Sequence, residues 1–413
     1  MKISFKTIAK CGVLGCLTYV MWYKWVFGDN ILILYASAAI SVMSMLVGLL
    51  LSRASIRKVF PYGCLNDVVM CVYSLLFGLF VAASKSVLFS TIGTYLSFAL
   101  VCLAFCYASQ DTGFDWLLRG VVLIAVLCAV WTITMGYYRS GYGMVLSPTN
   151  NPHTLGFVMD MGLFAVAYRS KSTIKSFAWN LLLGTLFLYI IIQCGSRKCL
   201  LAAVFIVLPW IWIELKKILK NGTSNQKLGI VLLLSLVAAG AAYYFFHIYV
   251  NSISYGRFSN IEESQSNRAR LAFFGLGFQY FLDSPLFGIG LGQFALHNPA
   301  GMYSHSTIPE AIASWGAIGS LLYFIPILAA SWRAFLLAKT RRDKESVMIA
   351  ALCAMELFMS FMQIYFYSLT HMIVWAIIFM YLKPTHSAAN RSDISRCSYV
   401  KNQNICLSAK KTG

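Results

Sequence analysis

Apolar runs of roughly 18 to 25 residues recur from one end of this chain to the other, each long enough to cross a ~30 Å hydrocarbon layer. They lie near 8–26, 31–52, 66–84, 87–108, 116–136, 153–168, 176–194, 198–214, 227–248, 308–338, 346–367 and 369–383. A water-soluble fold has no use for so many. Of the 413 residues, 59% are hydrophobic and 11% charged, against about 25% charged in an ordinary soluble domain. The expected fold class is all-α, a polytopic integral membrane protein with about twelve transmembrane helices. The first run begins near Ile8 with no small-residue cleavage site after it, which reads as a signal anchor. The 308–338 segment is too long for one perpendicular span and is expected to start as a short re-entrant piece.

The formal net charge is +19. In a soluble protein that excess would suggest nucleic acid. Here the basic residues collect between spans, as they do in cytoplasmic loops of membrane proteins, so no nucleic-acid partner is expected. Lys2 and Lys6, Arg53, Arg57 and Lys58, Arg169 and Lys171, Lys216 and Lys217, and Arg333 through Lys344 all fall on one side of a twelve-span chain. By the positive-inside rule this side is the cytoplasm and the membrane a bacterial inner membrane, with both termini cytoplasmic. The 109–115 segment marks this side least, with Arg119 alone nearby. Helices one to nine then occupy 1–248, one long extracytoplasmic loop 249–307, helices ten to twelve 308–383, and a basic tail without periodicity 384–413. The cysteines, such as Cys71, Cys102, Cys106 and Cys128, sit in apolar runs and read as small hydrophobes. No CxxC pair has metal-ligand spacing, so neither a zinc site nor a disulfide framework is expected.

Basic residues on the outer side run against this bias, and they single out three segments. Gly195-Ser196-Arg197-Lys198 is a very short outer turn. Two adjacent cations there either snorkel to lipid headgroups or form an anion site with a guanidinium fork; spacing alone leaves both open. Ser266-Asn267-Arg268-Ala269-Arg270 leads into an apolar stretch and then Ser284-Pro285-Leu286-Phe287-Gly288-Ile289-Gly290-Leu291-Gly292. Without a surrounding βαβ unit these glycines are no dinucleotide fingerprint and read first as a tight loop at a helix end. Residues 271–283 fit an amphipathic helix on the membrane, with Arg268 and Arg270 at or before its N-terminus, where an anion is favoured. In the third segment His305, in Tyr303-Ser304-His305-Ser306, stands where a polar loop re-enters the membrane, with Glu310 five residues on and Trp315-Gly316-Ala317-Ile318-Gly319 beyond. A histidine there can serve as a base near neutral pH. The intramembrane acids Asp160 and Glu356 serve helix–helix hydrogen bonding as readily as function, and no catalytic role is assigned to them.

The order of these motifs, with the earlier Asn150-Asn151-Pro152-His153-Thr154-Leu155-Gly156, resembles the O-antigen ligase/polymerase family of surface-polysaccharide polymerases and lipid A core ligases. The best-matched stretch runs from about Gly195 to Gly319. The resemblance implies arginines that hold the diphosphate of a lipid-linked glycan and a loop histidine essential for transfer. It maps these roles onto Arg197, Arg270 and His305, with Lys198 and Arg268 as further diphosphate contacts. Arg270 lies fifteen positions before Pro285, as the family pattern has it, and Arg268 is the competing choice. Ser196, His297 and Glu310 are further candidates. The family often shows His-Asn where this chain has His305-Ser306, whereas His297-Asn298 keeps that dipeptide but lacks the Glu and Gly continuation. His305 is preferred and His297 is its rival.

The implied reaction moves a glycan from undecaprenyl diphosphate to a sugar hydroxyl. The donor is already activated, so the protein must chiefly stabilise charge on the leaving group, a task for cations. No cofactor or metal is expected, because the few outer carboxylates, Glu262, Glu263, Asp283 and Glu310, form no DxD-like set. Expected partners are the lipid-linked oligosaccharide, membrane lipid, and a chain-length regulator or flippase. The leading expectation is a polymerase of capsule, O-antigen or exopolysaccharide repeat units. The alternatives are a ligase to lipid A core, a protein O-glycosyltransferase, and a flippase for the lipid-linked unit. A transporter gathers its polar groups at mid-membrane, whereas the unusual charges here gather in an outer loop.

Overall fold

The computed structural model describes residues 4–28, 30–53, 55–134, 152–170, 174–221 and 265–383, with scattered residues between 223 and 243. The expected span at 227–248 therefore lies largely outside the described residues, and Asn150-Asn151, the loop stretch 249–264 and the tail 384–413 lie wholly outside them. The regular structure among the described residues is helical. Helix α1 (Phe5–Thr18) passes through a π-helical turn, Tyr19–Tyr23, into α2 (Lys24–Phe27). There follow α3 (Ile31–Ser52), α4 (Ile56–Val59), α5 (Tyr62–Val81), α6 (Lys85–Ala108), α7 (Asp115–Thr134), α8 (Pro152–Arg169), α9 (Ile174–Cys194) and α10 (Arg197–Asn221). After the long loop come α11 (Gln265–Asp283), α12 (Phe294–His297), α13 (Thr307–Arg341), α14 (Lys344–Met359) and α15 (Leu369–Leu382).

Among the described residues, six helices (α3, α5, α6, α7, α10 and α13) are long and apolar enough to cross a membrane, and α9 and α15 carry shorter apolar stretches. Their apolar residues face outward as well as inward. Leu50 is 78% exposed and Phe80 87%, an arrangement that water penalises and a bilayer does not. Small residues let the helices approach: a Cβ on Gly12 of α1 would lie 2.7 Å from that of Ser41 on α3.

Ion pairs gather the basic ends on one face. Lys6 pairs with Asp111, and the Arg169 guanidinium donates to Asp115 at 2.7 Å. Lys344 and Lys217 flank Glu214 at 3.5 and 3.6 Å, and Lys383 donates to the Lys58 carbonyl. The N-terminus, the 109–115 turn and the ends of α8, α10 and α15 thus share one end of the bundle. In the core, His371 Nδ1 lies 2.8 Å from Glu356 Oε2 with both side chains fully buried, and Asp160 lies within electrostatic reach of Glu356.

The 35-residue helix α13 is broken at Gly316, where φ is 61°. The break frees backbone groups, and the glycine-rich loop after α11 takes them up. Ile289 N donates to Ala313 O at 2.8 Å, Gly290 N to Ser314 O at 3.1 Å, and Ala317 N to Pro285 O at 2.7 Å. Gly288 of this loop therefore permits backbone-on-backbone contact, beyond the tight helix-end loop expected of these glycines. Buried Trp315 locks the break to α5: its Nε1 donates to Ser74 Oγ at 2.8 Å, and Tyr73 OH donates to its carbonyl at 3.1 Å. Further along α13, Pro326 cannot donate to the carbonyl four residues back. Asn66 Nδ2 serves that Leu322 carbonyl instead, at 3.1 Å.

A Cβ on Gly288 would sit 2.5 Å from Ala313 O, and one on Gly316 2.5 Å from the Leu286 carbonyl carbon. Gly288→Ala and Gly316→Ala are each expected to lower stability by about 1–3 kcal/mol or more. Gly275→Ala, in open space on α11, is expected to be neutral or to stabilise by about 0.5–1 kcal/mol. Thermal unfolding of the three variants in detergent micelles checks the contrast.

Candidate active site

At the end of the bundle away from the ion-paired face lies a cavity of about 520 Å³. Its walls come from five separated stretches. His153 and Thr154 open α8, Lys198 lies in the first turn of α10, and Arg270 and Phe273 come from α11. Tyr303 and His305 precede α13, while Met362 and Gln363 sit in the turn between α14 and α15.

Helix α10 begins at Arg197, so Arg197 and Lys198 occupy its first turn. Cations at that end oppose the helix dipole. Specific contacts hold Lys198 there: its Nζ donates to Gln363 Oε1 at 3.0 Å and reaches Met362 O at 3.5 Å, leaving the residue 9% exposed. Ser196, buried just before the helix, sets its start by accepting from Leu200 N at 3.0 Å. Its hydroxyl lies 2.8 Å from His153 Nδ1, which ties α10 to α8. A helix N-terminus bearing two cations is a strong anion site, because unsatisfied N–H groups and side-chain charge act together.

Helix α11 starts at Gln265, so Arg268 and Arg270 lie within its first two turns rather than before it. Its exposed stripe is apolar, with Leu271, Phe278 and Leu282 at helical spacing, and Phe273 and Tyr280 face inward. A Cβ on Gly277 would lie 2.6 Å from Pro309 Cβ, so α11 sits hard against α13. This rotation separates the two arginines. Arg268 is exposed and outside the cavity lining, whereas Arg270 lines it and donates through Nη1 to Met362 Sδ at 3.5 Å. A thioether is a weak acceptor. No carboxylate among the described residues pairs with Arg270. Burial, and then the Arg197 charge, push its pKa down. These cations repel one another in partly desolvated surroundings, a cost that a multiply charged anion would offset.

His305 projects from a turn in which it adopts φ 58°, a left-handed conformation uncommon for a residue with a Cβ. Its ring lies 4.3 Å from that of Tyr303 and is stacked 6.1 Å from that of Phe273. Burial first, then Arg270, then Lys198 lower its pKa to about 4, so the imidazole is neutral at physiological pH. The turn is held through Glu310 and Thr307, which do not line the cavity. Buried Glu310 accepts from Ser304 N at 2.9 Å and from Tyr367 OH at 3.2 Å. Thr307 N donates to Ser360 O at 2.8 Å, and Thr307 Oγ1 to Gln363 O at 2.6 Å. His297 is placed elsewhere: it is exposed, outside the lining, and its Nδ1 lies 2.9 Å from Gln293 O.

The structure thus brings Lys198, Arg270 and His305 to one cavity and leaves Arg197, Arg268 and His297 off its lining, Arg197 within electrostatic reach of Arg270. It adds Met362 and Gln363, which the sequence reading placed inside the span 346–367 but which follow the end of α14 at Met359; a Gln late in that apolar run was their one signal. His153 and Thr154 were visible as part of a motif without a role.

Residues 181–324, from within α9 to the middle of α13, match the O-antigen ligase family model. The match contains Lys198, Arg270 and His305 together with the Gly316 break, and the resemblance drawn from the motifs stands with it. A comparison with curated proteins finds no match. The chemistry that goes with the O-antigen ligase family is glycan transfer of the ligase and polymerase type on a lipid-linked polysaccharide.

Removing the Arg270 charge should make imidazolium easier to form. Carbethoxylation of His305 by diethylpyrocarbonate, which requires the neutral ring, should fall off with a midpoint near pH 4 in the wild type. In Arg270→Gln that midpoint should move upward toward the ordinary value of about 6.5. Peptide mapping by mass spectrometry separates this site from His153 and His297.

Proposed function

We propose that the chain is a metal-independent membrane glycosyltransferase that moves a glycan from an undecaprenyl-diphosphate-linked donor to a sugar hydroxyl. The observation that carries this reading is the meeting of Lys198, Arg270 and neutral His305 at one cavity within the matched stretch. The membrane is the bacterial inner membrane, crossed about twelve times, and the ion-paired face with both termini is cytoplasmic by the positive-inside rule. The cavity then opens on the side where lipid-linked repeat units are presented.

The diphosphate lies across Arg270, Lys198 and the α10 N-terminus, with Arg197 adding charge from beside Arg270. As the bond from the anomeric carbon to the diphosphate oxygen breaks, negative charge grows on the leaving group where these donors already point. His305 takes the acceptor hydroxyl's proton through a ring nitrogen, and the hydroxyl oxygen forms the new glycosidic bond. A single displacement inverts the anomeric centre. The low His305 pKa keeps the ring free of a proton beforehand, and the arriving diphosphate, by offsetting Arg270 and Lys198, raises its basicity when it is needed. Glu310 is a positioning residue that holds the turn. The lining carries cations and imidazoles rather than carboxylates, which suits diphosphate departure without a divalent ion.

Polymerisation of repeat units for a capsule, O-antigen or exopolysaccharide is the leading form of this reaction, and ligation to lipid A core its alternative. Purified protein given a synthetic undecaprenyl-diphosphate-linked repeat unit should yield a ladder of longer lipid-linked products. His305→Ala should reduce the rate about 10²–10⁴-fold and Arg270→Ala about 10²–10³-fold, with activity unchanged by EDTA. Transfer only when lipid A core is added would make the protein a ligase. Movement of the intact donor across the bilayer without either product would overturn the enzyme reading.

A further inference from the structure

A second cavity, of about 430 Å³, opens at the ion-paired face, far from the site above. It lies between the start of α5, α13 and the end of α15. Its floor is apolar, formed by Phe60, Pro61, Pro326, Ala329, Phe379 and Leu382. Phe379 is seated deeply: a Cβ on Gly63 would fall 2.3 Å from its ring. Four cations, Arg57, Lys58, Arg333 and Lys383, line the same cavity, and no acidic side chain does.

None of the four has a carboxylate partner among the described residues. Some basic side chains elsewhere on this face are paired, as Lys6, Arg169 and Lys344 are with Asp111, Asp115 and Glu214. Here two of them turn to backbone: Arg333 Nη2 donates to Leu382 O at 3.1 Å, and Lys383 to Lys58 O. Positive-inside bias accounts for cations at this end of the bundle. It does not account for four of them converging, unpaired, on one apolar concavity.

The cavity lies beside exposed apolar surface: Tyr62 of its lining is exposed, and so are Ile325, Leu328 and Trp332 of α13, each next in sequence to a lining residue, Pro326, Ala329 or Arg333. That surface faces acyl chains, and Tyr62 and Trp332 are of the type that settles at headgroup level. An occupant must therefore be anionic at the end near the four cations and apolar beyond it. We infer that this cavity is a binding site for an acidic phospholipid of the cytoplasmic leaflet, its phosphate held by Arg57, Lys58, Arg333 and Lys383 and an acyl chain laid on Pro326, Ala329 and Phe379. A basic pocket between helices at the cytoplasmic surface has the chemistry for such a headgroup, and a free anion would leave the apolar floor unused.

The test is independent of glycan transfer. Protein delipidated in mild detergent is titrated with phosphatidylglycerol or phosphatidylcholine in mixed micelles, and bound lipid is counted by native mass spectrometry. The wild type should retain phosphatidylglycerol about tenfold more tightly than phosphatidylcholine. Arg57→Gln with Arg333→Gln should abolish that preference, and Ala329→Trp, which fills the floor without changing charge, should reduce binding of both lipids. Lys339→Gln with Arg341→Gln removes the same charge from the same face outside the cavity and should leave the preference intact. Millimolar inorganic phosphate should not displace the lipid. Equal retention of the two lipids, an equal loss in the Lys339/Arg341 control, or displacement by phosphate would each overturn the inference. Should Ala329→Trp fail to fold, the two charge-pair variants decide alone.

Discussion

In hydrocarbon no water is available to satisfy a freed backbone group, so a helix broken at membrane depth needs another piece of protein to complete its hydrogen bonds. That requirement shapes this structure at Gly316. Residues 285–290 supply the missing partners, and they do so with their backbone pressed against that of 313–318. Because the same loop follows α11, satisfying the break also fixes where α11 ends. Because His305 lies just before α13 begins, the break fixes the height at which His305 enters the cavity. Arg270 and His305 are thus placed by two ends of one supported discontinuity.

The electrostatics follow from this placement. Each bundle end carries cations, but they are treated differently. On the ion-paired face Lys6, Arg119, Arg169, Lys217 and Lys344 pair with carboxylates. At the candidate site Lys198 is tied to amide and carbonyl oxygens and Arg270 to a thioether, and among the described residues no carboxylate pairs with either beside a histidine held neutral. Buried Glu310 is committed to Ser304 and Tyr367. Local charge excess next to a helix N-terminus suits an anion that arrives, reacts and departs.

Much of this was legible in the sequence where hydropathy or topological bias speaks directly. Long apolar runs announce helices whatever their packing, and Arg197, Lys198 and Arg270 stood out because cations on the outer side need a reason. What could not be read is what depends on rotation and long-range contact. Arg268 and Arg270 are two residues apart and differ only in which way α11 turns them, which is settled by the approach of Gly277 to Pro309. Gln363 is distant in sequence from Lys198 and meets it only once α14 packs on α10. Gly288 gave a true signal whose cause, a second backbone at contact distance, no local pattern reveals.

The main-chain nature of the contact at Gly316 also divides the molecule into a scaffold and a replaceable lining. Outside the glycines, the bonds between 285–290 and 313–318 ask nothing of side-chain identity. Phe273, Met302, Tyr303 and Ile364, which line the cavity, take no part in them. Exchanging Met302 and Ile364, which unlike Phe273 and Tyr303 do not pack on the His305 ring, can therefore reshape the cavity while the cations and the histidine keep their positions. In the proposed reaction, a chain built this way changes the glycan it accepts without changing how it holds the phosphate end of the donor.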